Sequence, residues 1–116
     1  MTPTPFEVIA DPNRRQILDL LRVRRRAVGE LVAELSIAQP TVSKHLKVLK
    51  EAGLVEVEQQ ANRRLYELRT EPLAELDRWL APYRALWEQR FDALERRLDA
   101  KAGKAPRKTS PRRRTR

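Results

Sequence analysis

The sequence contains no cysteine and a single histidine, His45. The absence of cysteine excludes disulfides, thiolate metal ligands and thiol redox switches. A zinc or nickel site would have to surround one imidazole with carboxylates, and this is a poor set of ligands for either metal. We therefore expect neither a metal nor another cofactor.

Long apolar runs and catalytic constellations are also missing. No stretch approaches the roughly 18 consecutive apolar residues of a transmembrane helix, and the first residues, MTPTP, do not resemble a secretory signal. There is no glycine-rich phosphate loop. Ser43 and His45 are two positions apart on one predicted helix, so their side chains do not face each other. The sequence therefore predicts a cytoplasmic protein that is not an enzyme and has no membrane partner.

Acidic residues are absent from the C-terminal end. The chain has 25 Lys and Arg and 16 Asp and Glu, which gives a net charge of +9. Eight of the cations lie in residues 101–116, so residues 1–100 are nearly neutral. Residues 101–116 also lack large apolar side chains, so we expect a disordered basic tail after one folded domain of residues 1–100. The tail either adds non-specific affinity for DNA through counterion release or is an inert solubilising extension.

Cap signals and apolar spacing place the first two helices. A short helix is expected over Phe6 to Ala10. A second helix starts at Asp11-Pro12, because Asp is a good N-cap and Pro fits the first helical position. Its apolar stripe includes Ile17 and Leu21, and it runs out in the basic stretch Arg22 to Arg26. We interpret that stretch as a solvated helix end without a function.

The next two helices form a close pair. Apolar residues at i, i+3, i+4 and i+7 predict a helix over Val28–Leu35. Ser36 to Ala38 is a break, and a further helix opens at Gln39-Pro40. Gly53 is expected to end it as a left-handed C-cap. Two short helices joined by a three-residue turn form a helix-turn-helix pattern.

After residue 53 the apolar period shortens. Apolar residues at 54, 55 and 57 and at 65, 66 and 68 predict two strands of a β-hairpin, with the basic turn Ala61-Asn62-Arg63-Arg64 between them. The last element, from about Thr70, is a long amphipathic helix. Pro82 lies inside it, so we expect a kink near Ala81 or a split into two helices. The predicted fold is mainly α with a small β-hairpin wing, a winged helix-turn-helix followed by a long C-terminal helix.

The helix from Gln39 is the candidate DNA reader. With Val42, Leu46 and Leu49 turned inward, its outward side chains carry hydroxyls and lysines, and no acid occurs between residues 39 and 50. A helix of this kind enters the major groove with its N-terminal residues at the base edges. The side chains placed outward are Pro40, Thr41, Ser43, Lys44 and Lys47. Gln39 at the helix start is suited to pair with adenine, and the two lysines to phosphate or guanine.

Three stretches resemble the ArsR family of transcriptional repressors. The run IAQPTVSKHLKVLKEAGLV at 37–55 is similar to the family's recognition helix, and ADPNRRQIL at 10–18 is similar to its second helix. Residues 63–66, RRLY, resemble its wing. The resemblance covers roughly residues 5–100. It implies a homodimer, joined through its first and last helices, that binds a palindromic operator in double-stranded DNA, commonly in its own promoter.

The resemblance also implies roles for individual side chains. The positions that the family uses for DNA contact are Gln39, Thr41, Ser43, Lys44 and His45 in the recognition helix and Asn62, Arg63 and Arg64 in the wing. For three of these the residues alone leave a second interpretation open: His45 also fits a boundary residue packed against the turn, and Arg63 and Arg64 also fit soluble turn residues. Because the chain lacks cysteine and its last helix lacks histidine, it is closer to the branch of the family without metal sites.

The last helix carries large apolar residues that a chain of this size cannot all bury. They are suited to a dimer interface or to a small-molecule pocket, and the interface is the simpler interpretation. The predicted interface residues are Phe6, Trp79, Tyr83, Leu86, Trp87, Phe91 and Leu94.

Two functions follow from these patterns. The first is a homodimeric transcriptional repressor that reads its operator through the major groove. The second is an architectural, nucleoid-associated DNA-binding protein that is driven by the basic tail. A recognition helix favours the first function, because an architectural protein does not need one.

Overall fold

Side-chain caps start the first two helices. The computed structural model describes residues 2–102. Helix α1 (Pro5–Val8) begins after Thr4, whose Oγ1 accepts a hydrogen bond from the Glu7 N–H at 3.2 Å. Helix α2 (Pro12–Val23) begins after Asp11, whose Oδ1 accepts hydrogen bonds from two N–H groups of the first turn, at 2.8 and 3.2 Å. The predicted start of α2 is confirmed, whereas α1 ends before Ala10 because the chain must become extended at Asp11.

The Asp11 cap carries a pH dependence. Burial alone would raise the pKa of Asp11, but hydrogen bonds from the Arg14 and Asn13 N–H groups and the charges of His45 and Arg14 hold that pKa below its usual value of 3.8. A lowered folded-state pKa contributes stability that is present above the unfolded-state pKa and is lost as the pH falls through the folded-state value.

We expect Asp11→Ala to lower the free energy of unfolding by about 1 kcal/mol at neutral pH, because two N–H groups lose their acceptor. The difference from the wild type should shrink as Asp11 becomes protonated. Urea unfolding followed by circular dichroism, at pH 7 and in steps down to about pH 3, measures this difference. A difference that stays constant over this range would contradict the assignment.

The helix-turn-helix pair is observed as predicted. Helix α3 (Val28–Leu35) ends at Ser36, which has a left-handed backbone with φ 55°. Helix α4 (Gln39–Glu51) follows the short break. Gly53, with φ 76°, reverses the chain after α4, and the Leu54 N–H donates to the Leu49 carbonyl at 2.9 Å. This φ confirms the predicted left-handed conformation of Gly53. Glycine is suited to this position because residues with a Cβ rarely adopt such a φ.

The wing is a three-stranded antiparallel sheet, and the predicted two strands were one too few. Strands β2 (Val55–Gln60) and β3 (Arg63–Leu68) form the hairpin, and β1 (Arg26–Ala27) pairs with the other side of β3, so the order is β1-β3-β2. The hairpin turn is Ala61-Asn62, with Ala61 in the left-handed region at φ 52°. Arg63 and Arg64 were predicted to lie in the turn, but they belong to β3 and pair with Gln60 and Gln59.

Arg22 to Arg26 were interpreted as a solvated helix end, and this interpretation was wrong for the residues after Val23. Helix α2 stops at Val23, and Arg26 lies in β1 with only 8% of its surface exposed. Its Nε donates a hydrogen bond to the Leu20 carbonyl at 3.2 Å. A strand of two residues has no visible apolar alternation, so its sequence gave no signal that separates it from a helix end.

The core lies between the helix-turn-helix and the sheet. The inner face of α4 is fully buried, since Val42 and Leu49 have 0% and Leu46 1% of their surface exposed. They pack with buried residues from α1, α2, α3 and the start of β2. The other buried members of this core are Val8, Ile17, Leu18, Leu21, Leu31, Leu54 and Val55. The core therefore fixes which face of α4 remains outside.

Helix α5 (Leu73–Lys101) continues through Pro82 without a break. Of the two predicted alternatives, the split into two helices was therefore wrong, and the kink near Ala81 stays a prediction. Pro82 is exposed, so water can hydrate the carbonyl that loses its N–H partner in the preceding turn.

The chain divides into two units between Arg78 and Trp79. Within residues 2–102, no helix is both long and apolar enough to cross a membrane. The predicted tail lies, apart from its first two residues, outside the described residues.

Candidate nucleic-acid interface

The outer face of α4 presents the side chains that were predicted to meet DNA. All of them except His45 are exposed, and the members of this exposed set are Gln39, Thr41, Ser43, Lys44 and Lys47. The opposite face of the helix is the buried one, so these side chains are held outward by the core. Lysines supply the only side-chain charges on this face up to residue 50.

The N-terminus of α4 has no side-chain cap. Ala38 occupies the N-cap position and cannot accept a hydrogen bond through its side chain. Its carbonyl accepts from the N–H groups of Thr41 and Val42, at 3.0 and 3.1 Å. The helix therefore begins with its positive dipole end uncompensated by a side-chain oxygen, which is the end where helices bind anions.

His45 is half-buried at the edge of the α4 outer face. It lies near enough to the carboxylate of Asp11, at the start of α2, for the two charges to interact. Both earlier interpretations of His45 remain compatible with this position, because a half-buried ring can pack at the boundary and still present one edge outward.

The wing presents three predicted DNA-contact residues, Asn62, Arg63 and Arg64, and all three are exposed. Asn62 lies in the turn, and the two arginines begin β3. Arg63 is not an isolated cation. Its Nη2 lies 2.9 Å from Oε1 of Glu30 in the first turn of α3.

Glu30 joins three parts of the fold, and sequence reasoning missed it. Its Oε1 also accepts a hydrogen bond from the Ala27 N–H at 3.1 Å, and its Oε2 lies 2.9 Å from Nη2 of Arg24. The Ala27 N–H and the Arg24 side chain lower the pKa of Glu30 most. Burial acts in the opposite direction, and the charges of Arg24 and Arg63 add to the lowering. Glu at the third position of a helix is the available sequence signal, because it is the acceptor of a capping box.

Ion pairs also hold the strands of the wing. Arg25 Nη1 lies 2.9 Å from Oε2 of Glu58 in β2, and Arg69 Nη1 lies 2.8 Å from Oε2 of Glu56. These pairs place a cation beside each exposed acid of β2. They reduce the repulsion that the strand would otherwise exert on a DNA phosphate.

Helix α5 carries a stripe of exposed large apolar side chains. From Trp79 to Leu98 they are between 40% and 56% exposed, and the stripe comprises Trp79, Tyr83, Leu86, Trp87, Phe91, Leu94 and Leu98. The Trp79 and Tyr83 rings contact each other, with centroids 4.9 Å apart. Phe6 is 38% exposed in the other unit, and its place in an interface remains a prediction.

Acidic and imidazole side chains are scattered rather than grouped. Within residues 2–102, no three of them converge in a way that could hold a metal ion. The described part of the chain therefore offers two surfaces for binding: the face formed by α4 and the wing, and the apolar stripe of α5.

Comparison with known proteins identifies the family. Residues 11–57 match the family model described as bacterial regulatory protein, arsR family. The chain is 33% identical over 75 residues to the transcriptional repressor SdpR of Bacillus subtilis. The aligned region covers 65% of this chain and 83% of that protein. It is 44% identical over 71 residues to an HTH-type transcriptional regulator of Mycobacterium tuberculosis, which covers 61% of this chain and 66% of that protein.

A solved structure shows the same relationship. The chain resembles a crystal structure of an ArsR family transcriptional regulator with a TM-score of 0.62 and 32% identity, over 72% of this chain and 91% of that one. The family-model match at residues 11–57 includes the helix-turn-helix pair. The chain therefore belongs to the ArsR family of bacterial regulatory proteins, a family of transcriptional regulators and not of enzymes.

Proposed function

We propose that this protein is a homodimeric transcriptional repressor that binds a palindromic operator through the major groove. The observation that carries the proposal is the division of α4 into a fully buried face and an exposed face that carries lysines and, from residue 39 to residue 50, no acid. A helix held in this way by the core presents hydrogen-bonding and cationic side chains at a fixed angle. This is what reading base edges in a groove requires.

We propose a separate role for each helix of the pair. In a helix-turn-helix the first helix crosses the DNA backbone and the second enters the major groove. Here α3 is the first and α4 the second. Gln39 at the start of α4 is suited to a bidentate contact with adenine, and Lys44 is suited to phosphate or guanine. Asn62, Arg63 and Arg64 are proposed to contact the neighbouring backbone or the minor groove.

The apolar stripe of α5 supports the proposal of a second copy. Two copies related by a two-fold axis present two α4 helices about 34 Å apart, one turn of DNA, and so read a palindrome. Bound across a promoter, the dimer blocks access by polymerase. We propose that the promoter is that of the protein's own gene, and that the protein works on the chromosome in the cytoplasm.

Fluorescence anisotropy tests the proposal. The probes are a duplex from directly upstream of the protein's own gene and a scrambled duplex of the same composition, at roughly 150 mM salt. The full chain and a variant ending at Ala100 are compared. We expect both to prefer the upstream duplex by about 10³-fold or more. Binding of the full chain alone, and to any sequence, would favour the architectural function instead.

Two substitutions on α4 are expected to act differently. Lys44→Ala should weaken binding to both duplexes and reduce the log–log salt slope by about 0.9, because one phosphate contact is lost. Gln39→Ala should instead relax the preference at one base pair, at a cost of about 1–3 kcal/mol on the upstream duplex. Lys50→Ala, at the other end of the helix, is the matched control for charge. An equal loss on both duplexes for Gln39→Ala would remove its reading role.

A further inference from the structure

The carboxylate of Glu30 is bound in the way that a phosphate is bound. Two guanidinium groups meet it from different parts of the chain, Arg24 at Oε2 and Arg63 at Oε1, each at 2.9 Å. A backbone N–H donates to it as well, from Ala27 at 3.1 Å. Paired arginines with a backbone N–H are a common donor set for DNA phosphates.

The two arginines are more open to solvent than the acid between them. The side chains of Arg24 and Arg63 are 56% and 59% exposed, whereas that of Glu30 is 30% exposed. Both arginine side chains are therefore accessible from solvent while the carboxylate holds them together, although Nη1 of Arg24 also donates a hydrogen bond to the Arg25 carbonyl at 3.2 Å. Without this carboxylate, two guanidinium groups held next to each other at the same position would repel each other.

The cluster also lies on parts of the fold that approach DNA. Glu30 is in the first turn of α3, the helix that crosses the backbone in a helix-turn-helix complex. Arg63 is the first residue of β3, directly after the turn of the wing. Arg24 follows the end of α2, and no pattern in the sequence had given it a role.

We propose that Arg24 and Arg63 form one phosphate-binding pair of the DNA interface, and that Glu30 is the internal anion that a DNA phosphate displaces. The proposal rests on the DNA-binding function proposed above. It adds Arg24 to the proposed DNA interface and assigns to Glu30 an effect that opposes DNA binding. In the free protein the carboxylate neutralises the pair. On DNA a phosphate takes its place, so the carboxylate lowers the affinity for every duplex, irrespective of sequence.

Glu30→Gln isolates the charge from the local structure. Glutamine, like glutamate, accepts a hydrogen bond at this helix position, so the Ala27 N–H keeps its partner. Glu34→Gln is the matched control, because Glu34 is exposed on the same helix and makes no ion pair with any residue from 2 to 102. Both variants raise the net charge by the same amount. Only the first one releases the two arginines.

Anisotropy titrations at several salt concentrations measure the effect, with the full chain and the scrambled duplex. We expect Glu30→Gln to bind about three- to tenfold more tightly than the wild type, with a steeper salt slope. Glu34→Gln should stay within about twofold, because salt screens a charge that has no close partner. Arg24→Gln should weaken binding and reduce the slope. In an Arg24→Gln, Arg63→Gln background the gain from Glu30→Gln should disappear.

Three results would overturn the proposal. They are equal effects of Glu30→Gln and Glu34→Gln, weaker binding by Glu30→Gln, and a gain that persists without the two arginines. Because the scrambled duplex carries the same phosphates as an operator, these results do not depend on an operator being found. A wild type without preference for its upstream duplex would contradict the proposed repression of the protein's own gene and leave this test intact.

Discussion

Leu46→Ala is expected to lower the free energy of unfolding by about 2–5 kcal/mol. Leu46 is in the middle of the buried face of α4 and is 1% exposed, so its removal leaves a cavity that the surrounding helices cannot fully close. A domain of this size has a total stability of only about 5–15 kcal/mol. The substitution therefore removes a large share of it, although residue 46 touches no DNA in the proposed complex.

Urea unfolding followed by circular dichroism measures this loss, and Lys47→Ala is the control. Lys47 is the next residue on α4 and is exposed, so its substitution should change the stability by about 0.5 kcal/mol or less. The two variants should also separate in DNA binding. Where both proteins are folded, Lys47→Ala should bind less tightly than Leu46→Ala. Equal stability of the two variants would contradict the assignment of the inner face of α4.

The parts of the fold that the sequence predicted are those fixed by local rules. The start of α2 follows from Asp11, whose side chain caps the two N–H groups nearest to it in the chain. The end of α4 follows from Gly53, because few other residues adopt its φ of 76°. The inner face of α4 follows from helical spacing alone. In each case the signal and its structural effect lie within one or two helical turns.

The parts that could not be predicted depend on pairs distant in sequence. Strand β1 exists because Arg26 and Ala27 pair with Tyr66 and Leu65. Nothing within residues 22–26 distinguishes that strand from a basic helix end. Pro82 is the opposite case, because a strong local signal predicted a break and the helix nevertheless continues. The carbonyl that loses its N–H partner in the preceding turn can be hydrated instead.

The same division holds for the candidate DNA interface. The outward side chains of α4 were predictable because one helix and its core face determine them. The ion pair of Arg63 was not predictable, because its partner Glu30 lies 33 positions away in the chain. A sequence can place a cation on a wing, but whether that cation is already neutralised depends on the tertiary structure. This is why the ion pairs of Glu30 with Arg24 and Arg63 could not be predicted from the sequence.

The apolar stripe of α5 is the feature with the largest consequence for the proposed function. Its side chains from Trp79 to Leu98 remain 40–56% exposed in a single chain. Contiguous exposed apolar surface of this kind usually marks an interaction site. A second copy is the occupant that the proposed palindrome requires. Burying aromatic side chains against their symmetry mates would supply much of the dimerisation energy.

Trp87→Glu is therefore expected to convert the proposed dimer into a monomer and to weaken binding to the upstream duplex by about 100-fold or more. The loss arises because the second half-site contact becomes bimolecular instead of intramolecular. Analytical ultracentrifugation measures the oligomeric state, and anisotropy measures the affinity. Ala85→Glu is the matched control, since it adds the same charge about 200° around the helix from Trp87. A Trp87→Glu protein that remains dimeric would show that the α5 stripe does not form the dimer interface. A monomer that keeps full affinity would instead show that one copy is sufficient to read the operator.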